Sequence, residues 1–402
     1  MKPLFHVVIE NADHPKYGVA TIPFPIPKQE YDHVLELLKP MELGDAVRRD
    51  CRIKEIEGDI PVLKRMEENL ANLDELDYLA KRLDSFSDGE IAQFQGIAAK
   101  MGTSHIADFI NLTFCCQHVT VITDFSNLEA VGRDHYMNLN GGCASKAELD
   151  DLDGLETALL LISDNEGFIT PYGVVYDNGM RMEALYDGKH LPCYHYEPDM
   201  LAAAITSREQ PENTKEISWI CLPATKSQIE RAMARSGIAD SMDMRVNYSD
   251  SSFSAEIEIA LDYCNETIFE LNDLAQDIVN LSRADQKKLG AVVALAEPQF
   301  SFQIRNLIAN LDLFEFVPGV TSSAEYGKYM IQKSGHFEYD PNLDEFYDYE
   351  RYGLQRMEQQ SGMFTDRGYI SYYGTMSLEE LMMEDPAEAY QHEQGFQMGG
   401  MA

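Results

Sequence analysis

The chain repeats itself, and the repeat limits its architecture more than any other feature. Laid against itself at a shift of 195 residues, it matches without a gap over most of residues 73–176. Glu75, Leu76, Leu79 and Ala80 meet Glu270, Leu271, Leu274 and Ala275. Ser87 meets Ser282, Asn111-Leu112 meets Asn306-Leu307, and Gly132 meets Gly327. Asp153 meets Asp348, and Gly167, Thr170 and Gly173 meet Gly362, Thr365 and Gly368. Apolar positions correspond as well, Leu83 with Ile278 and Phe94 with Leu289. A helix start, a core face and a turn glycine held in one register imply two copies of one folding module, with a period far too long for a solenoid. We therefore expect an α+β protein built as a tandem duplication of a ~195-residue module.

Local patterns fill in each copy. Residues 5–10 and 17–22 read as short strands around a turn, and Tyr31, Val34, Leu35 and Leu38 lie on one helix face. Leu73, Leu76, Leu79, Ala80 and Leu83 make another apolar face. Ser87 to Glu90 and Ser126 to Glu129 have capping-box spacing. Residues 118–122 and 167–176 read as strand, and as turn plus strand. The polar, Pro-containing stretch from Ser207 marks the boundary. The first module then spans 1–205, with a β-rich start, a helical middle at 70–140 and an acidic end at 141–200. The second spans 206–375. Residues 376–402, rich in Met, Gln and Glu, read as a disordered acidic tail.

Charge narrows the function classes. The chain has 402 residues, with 68 acidic against 32 basic side chains, a net of −36. By successive hundreds the net runs −6, −12, −7 and −11, so acidity rises twice, once per module. A direct nucleic-acid binder needs a basic footprint, and the sequence offers none. Partners with basic surfaces are the electrostatic expectation. The 7 cysteines are scattered and odd in number, without CxxC, which reads as free thiols in a reducing cytoplasm. With neither a signal-like start nor a long apolar run, a soluble, cytoplasmic chain with no membrane partner is expected.

Catalytic signatures are missing. The sequence has no Walker loop, no GxGxxG after a strand, no GxSxG and no HExxH. His190, Cys193, His195 and Glu197 fall within eight residues, yet no second ligand pair is spaced to close a zinc site. We expect no enzyme activity, no cofactor and no metal. The charge itself is then the candidate function. Thirty-six charges at the density of duplex DNA, one per ~1.7 Å, would extend about 61 Å.

The charge concentrates in Gly335–Glu350, which holds Glu338, Asp340, Asp344, Glu345, Asp348 and Glu350 and no Lys or Arg. Leu343, Phe346, Tyr347 and Leu354 share one face at helical spacing, which predicts a single helix with the carboxylates facing solvent and an aromatic seam beneath. The matching region of the first copy keeps Asp150, Asp151, Asp153 and Glu156 but not the aromatic residues.

Asn310–Val320, Ala324–Ile331, Phe346–Gly353 and Phe364–Ile370 resemble, in order, the motifs of the ArdA antirestriction family of conjugative plasmids and transposons, in its larger Firmicutes mobile-element form. The first copy resembles it more loosely. The resemblance implies an elongated chain of small α+β domains, an acidic mimic of B-form DNA that occupies the DNA-binding groove of Type I restriction–modification enzymes, on their modification and specificity subunits, and shields a mobile element. It implies that the ten carboxylates named above contact that partner, and that the chain acts as a homodimer or an intramolecular pseudo-dimer. The alternative is an acidic regulatory module of a conjugative element that binds another basic partner.

Overall fold

The computed structural model describes residues 2–196, 199–211, 214, 216–262, 265–336 and 338–383. Its contacts divide the chain into two compact units. The first comprises Met1–Pro198, Ile205–Ile220 and Ala224–Ala239; the second comprises Asp199–Ala204, Cys221–Pro223 and Asp240–Ala402. The architecture is mixed α+β, as the sequence predicts.

The first unit opens with β1 (Phe5–Asn11), β2 (Val19–Phe24), helix α1 (Tyr31–Leu38), β3 (Cys51–Gly58) and β4 (Leu70–Ala71). The strands form one sheet in the order β2-β1-β3-β4. Strand alternation places every second residue on one face. Phe5, Val7 and Ile9 are accordingly buried, with Val7 opposite Ile22 and Ile56 on the two antiparallel neighbours. Next come α2 (Leu73–Asp84), α3 (Asp88–Met101) and α4 (Ile106–Leu112), whose apolar faces join the sheet in one core. Both α2 and α3 start in capping boxes, at Asn72 with Glu75 and at Ser87 with Glu90, which satisfy backbone N–H groups that a helix start leaves open. Strand β5 (Val119–Ile122), helices α5 (Leu128–Leu139), α6 (Lys146–Asp151) and α7 (Gly154–Asp164), and the hairpin β6 (Phe168–Thr170) and β7 (Gly173–Asp177) complete this stretch. The cap of α5 is Asn127, whose side chain accepts from the Ala130 N–H, rather than Ser126.

The division of the chain passes through β8 (Leu201–Ser207) and β9 (Ser218–Leu222). Helix α8 (Lys226–Arg235) then belongs to the first unit, although it lies beyond the expected boundary at residue 205. A buried ionic cluster holds it there. Arg231 Nε lies 3.0 Å from an Asp74 carboxylate oxygen, Arg235 pairs with the same carboxylate, and the Tyr31 hydroxyl donates to it. Burial alone would raise the Asp74 carboxyl, but the Arg235 and Arg231 charges hold it below its ordinary range.

The second unit contains β10 (Met244–Ser251), α9 (Ala255–Ala260), α10 (Ile268–Val279), α11 (Arg283–Ala296), α12 (Ser301–Ala309) and β11 (Phe314–Pro318). It continues through α13 (Ser323–Gln332), α14 (Tyr349–Gln360), β12 (Met363–Thr365), β13 (Gly368–Tyr372) and α15 (Leu378–Met383). The element order from α10 to β13 repeats that from α2 to β7, except that a 3-10 segment, Pro341–Phe346, stands in the place of α6. The limits of α10, α11, β12 and β13 are those of α2, α3, β6 and β7 moved by 195 residues. The sheets agree too, in the orders β5-β7-β6 and β11-β13-β12. Both hairpins turn at a glycine of positive φ, Gly173 and Gly368, where a side chain would be strained. In each, a threonine hydroxyl (Thr170, Thr365) donates to that glycine's carbonyl at 2.8 Å.

Helix α15 falls where the acidic tail was expected to begin. Leu381 and Met382 are buried, and the Asn306 side chain donates to the Met382 carbonyl at 2.9 Å. At the matching position Asn111 donates to the Tyr186 carbonyl at 3.1 Å. The rest of the expected tail, 384–402, lies outside the described residues. Among the described residues no helix is long and apolar enough to cross a membrane.

Candidate functional site

The acidic stretch of the second unit is the connection between two helices pressed together at their backbones. A Cβ on Gly327 of α13 would sit 1.9 Å from the Tyr349 carbonyl oxygen, and one on Gly353 of α14 would sit 1.9 Å from that of Ser323. Only glycine permits that approach. The first unit uses the same device, since a Cβ on Gly132 of α5 would lie 1.8 Å from the Gly154 oxygen of α7. Such a pair fixes the two ends of its connection, and with them the carboxylates between.

The single helix predicted through Leu343–Leu354 is instead two elements. A 3-10 segment, Pro341–Phe346, is followed by a break and then by α14. Asp340 caps the first, its side chain accepting from the Asn342 N–H, and Asp348 caps the second, accepting from the Arg351 N–H. Two caps nine residues or fewer apart leave no room for one continuous helix. The expected seam is open as well. Leu343 is 46%, Leu354 is 42% and Phe346 is 81% exposed. Of the expected four only Tyr347 is half-buried, and it packs instead beside Tyr339 and Tyr349, with ring centroids 6.1 and 5.8 Å away.

These tyrosines organise one carboxylate. Asp344 accepts from the Tyr339 hydroxyl at 2.7 Å, the Tyr349 hydroxyl at 2.5 Å and the Gln332 amide at 2.8 Å. The Tyr339 and Tyr349 hydrogen bonds stabilise its anion and lower its pKa. Asp344 is thus half-buried and internally engaged, not turned wholly to solvent as expected.

The six carboxylates therefore divide by role. Asp344 is clamped, and Asp340 and Asp348 cap helices. Glu338, Glu345 and Glu350 are exposed and have no hydrogen-bond or ion-pair partner among the described residues. In the first unit Asp150 and Asp151 end α6, Asp153 caps α7 through the Glu156 N–H at 2.9 Å, and Glu156 lies in the first turn. All four are exposed. The structure brings each set together within its own unit. What the sequence reading missed was the Tyr339–Asp344–Tyr349 clamp. The Asp340-Pro341 pair, a cap followed by proline at the first helical position, is the signal that marks the break.

His190 Nδ1 lies 2.6 Å from Asp187, while Glu197 is outside the described residues. Cys51, Cys115 and Cys116 are buried free thiols.

Residues 217–371 match the family model for antirestriction protein (ArdA). A search of curated proteins finds no match.

Proposed function

We propose, from the match of residues 217–371 to the family model for antirestriction protein (ArdA), that the chain is a non-enzymatic DNA mimic. It would inhibit a Type I restriction–modification enzyme by presenting carboxylates to the DNA-binding groove of the modification and specificity subunits. In this reading a cytoplasmic protein of a mobile element shields that element from restriction. The chain is a tandem duplication whose halves offer two acidic connections within one polypeptide, an intramolecular pseudo-dimer. The repeated element order and the repeated glycine contact support the duplication.

One observation carries the mimicry. Glu338, Glu345 and Glu350 are exposed, unpaired, and set on a connection whose ends are held by backbone-tight helix packing. Unpaired carboxylates at fixed positions keep their charge available to a groove built for phosphate. Nothing in such an arrangement calls for a reacting group, and a net charge of −36 favours long-range attraction to a basic partner.

The test neutralises those three residues as E338Q/E345Q/E350Q. Exposed ion pairs are each worth a factor of about 1.4 to 5 in binding. Inhibition of DNA cleavage by a purified Type I enzyme should therefore weaken about three-fold to a hundred-fold, with the gap narrowing as salt is raised. An unsubstituted chain that does not compete with DNA for the enzyme even at low salt would rule the reading out.

A further inference from the structure

We propose that the second unit carries a binding site for a small organic anion with an apolar body, separate from the acidic connection. A cleft of about 340 Å³ opens between α9, α10 and α11, within the size range of small-molecule sites. Phe253, Ile257 and Leu289 make its apolar floor, and Arg283, Lys287 and Arg367 supply its polar lining together with Gln286. No carboxylate lines it among the described residues, in a chain that has two acids for every base.

The cations are placed rather than scattered. Arg283, Lys287 and Gly290 follow each other at i, i+4 and i+7 on α11 and so share one face. Gly290 leaves the gap that Arg367 fills, since a Cβ there would lie 2.3 Å from Arg367 Nε. The Glu256 carboxylate grips Arg367 through two bonds, at 2.7 and 2.8 Å, which fixes the guanidinium over the helix. Arg283 and Lys287 have no ion-pair partner among the described residues. The fold does not require this set. At the matching positions 195 residues earlier stand Asp88, Ala92, Gln95 and Tyr172, on elements of the same kind. The cations and the glycine that admits Arg367 are thus features of the second half alone. An apolar floor under a rim of positive charge selects a ligand with an aromatic or aliphatic body and a carboxylate, sulfonate or phosphate head.

The full-length chain is titrated with 8-anilinonaphthalene-1-sulfonate, following dye fluorescence, beside its uncharged analogue N-phenyl-1-naphthylamine. One saturable site is expected for the sulfonate, and R283E/K287E should weaken it about ten-fold or more. The uncharged analogue should bind the unsubstituted chain more weakly and respond little to the double substitution. Both substituted side chains are exposed, and circular dichroism checks that the fold is kept. If charge reversal perturbs it, R283Q/K287Q carries the test. Equal sulfonate affinity in the substituted and unsubstituted chains would overturn the proposal, as would equal affinity for the charged and uncharged probes.

Discussion

Replacing Asp74 by alanine should cost the first unit far more than an ordinary polar substitution. The carboxylate is buried against Arg231, Arg235 and the Tyr31 hydroxyl. Both guanidiniums are themselves nearly buried, at 8% and 12% side-chain exposure. Removing one partner of a buried pair leaves uncompensated charge and costs about 3–5 kcal/mol. Backbone oxygens of Gly44 and Asp45 still accept from Arg231, so part of its hydrogen bonding survives and the lower end of that range is expected. The chain has one tryptophan, Trp219, and it belongs to the first unit, so its fluorescence in urea follows that unit's unfolding. Replacing the side-chain cluster as Y31F/D74L/R231M/R235L should recover part of the loss, because apolar side chains need no counter-charge, while the Gly44 and Asp45 oxygens lose their Arg231 donor. The pH dependence has a definite sign. The folded pKa of Asp74 is lowered, so its contribution is complete above the unfolded value near 3.9 and fades as pH falls through the folded value. The gap between the unsubstituted chain and D74A should close in acid. A loss under about 1 kcal/mol at neutral pH would refute this account, because the pair would then be no stronger than a surface one.

Two further outcomes follow from packing and burial. Gly327→Ala must separate α13 from α14, because its Cβ would lie 1.9 Å from a carbonyl oxygen; thermal unfolding should show a loss of about 1–3 kcal/mol or more. Gly89→Ala, with no neighbour closer than 3.9 Å, should stay within about 0.5 kcal/mol. Burial pushes the Cys51 and Cys116 thiols up, whereas Cys143 is exposed. A colorimetric disulfide reagent should therefore modify Cys143 early, and Cys51 and Cys116 only on unfolding.

Most of the helical framework was legible, and for a physical reason. Apolar residues at helical spacing and caps such as Ser87 are local signals, and they set the limits of α2, α3, α10 and α11. Residues 167–176 were readable as turn plus strand, and the strand Phe168–Thr170, which makes a hairpin of them, was not. The acidic connection was misread because the same spacing that suggests a helix face also fits a 3-10 segment followed by a helix. Only the caps at Asp340 and Asp348 separate the two readings. The tyrosine clamp on Asp344 joins Gln332, Tyr339 and Tyr349, and that juxtaposition depends on how α13 meets α14. Placement of α8 was illegible for a similar reason. Arg231 and Arg235 look like solvated charges on an amphipathic helix, and their partner lies 157 and 161 residues away.

That dependence limits where the chain can be shortened. A deletion that joins equivalent points of the two matching stretches would excise the 195 residues between them. Such a junction anywhere between Leu76 and Tyr176 would remove α8 while keeping Asp74. The shortened product would fold around a buried carboxylate stripped of both guanidiniums. A half-length chain of this kind is therefore a damaged protein, and Asp74, left without Arg231 and Arg235, is the residue that makes it so.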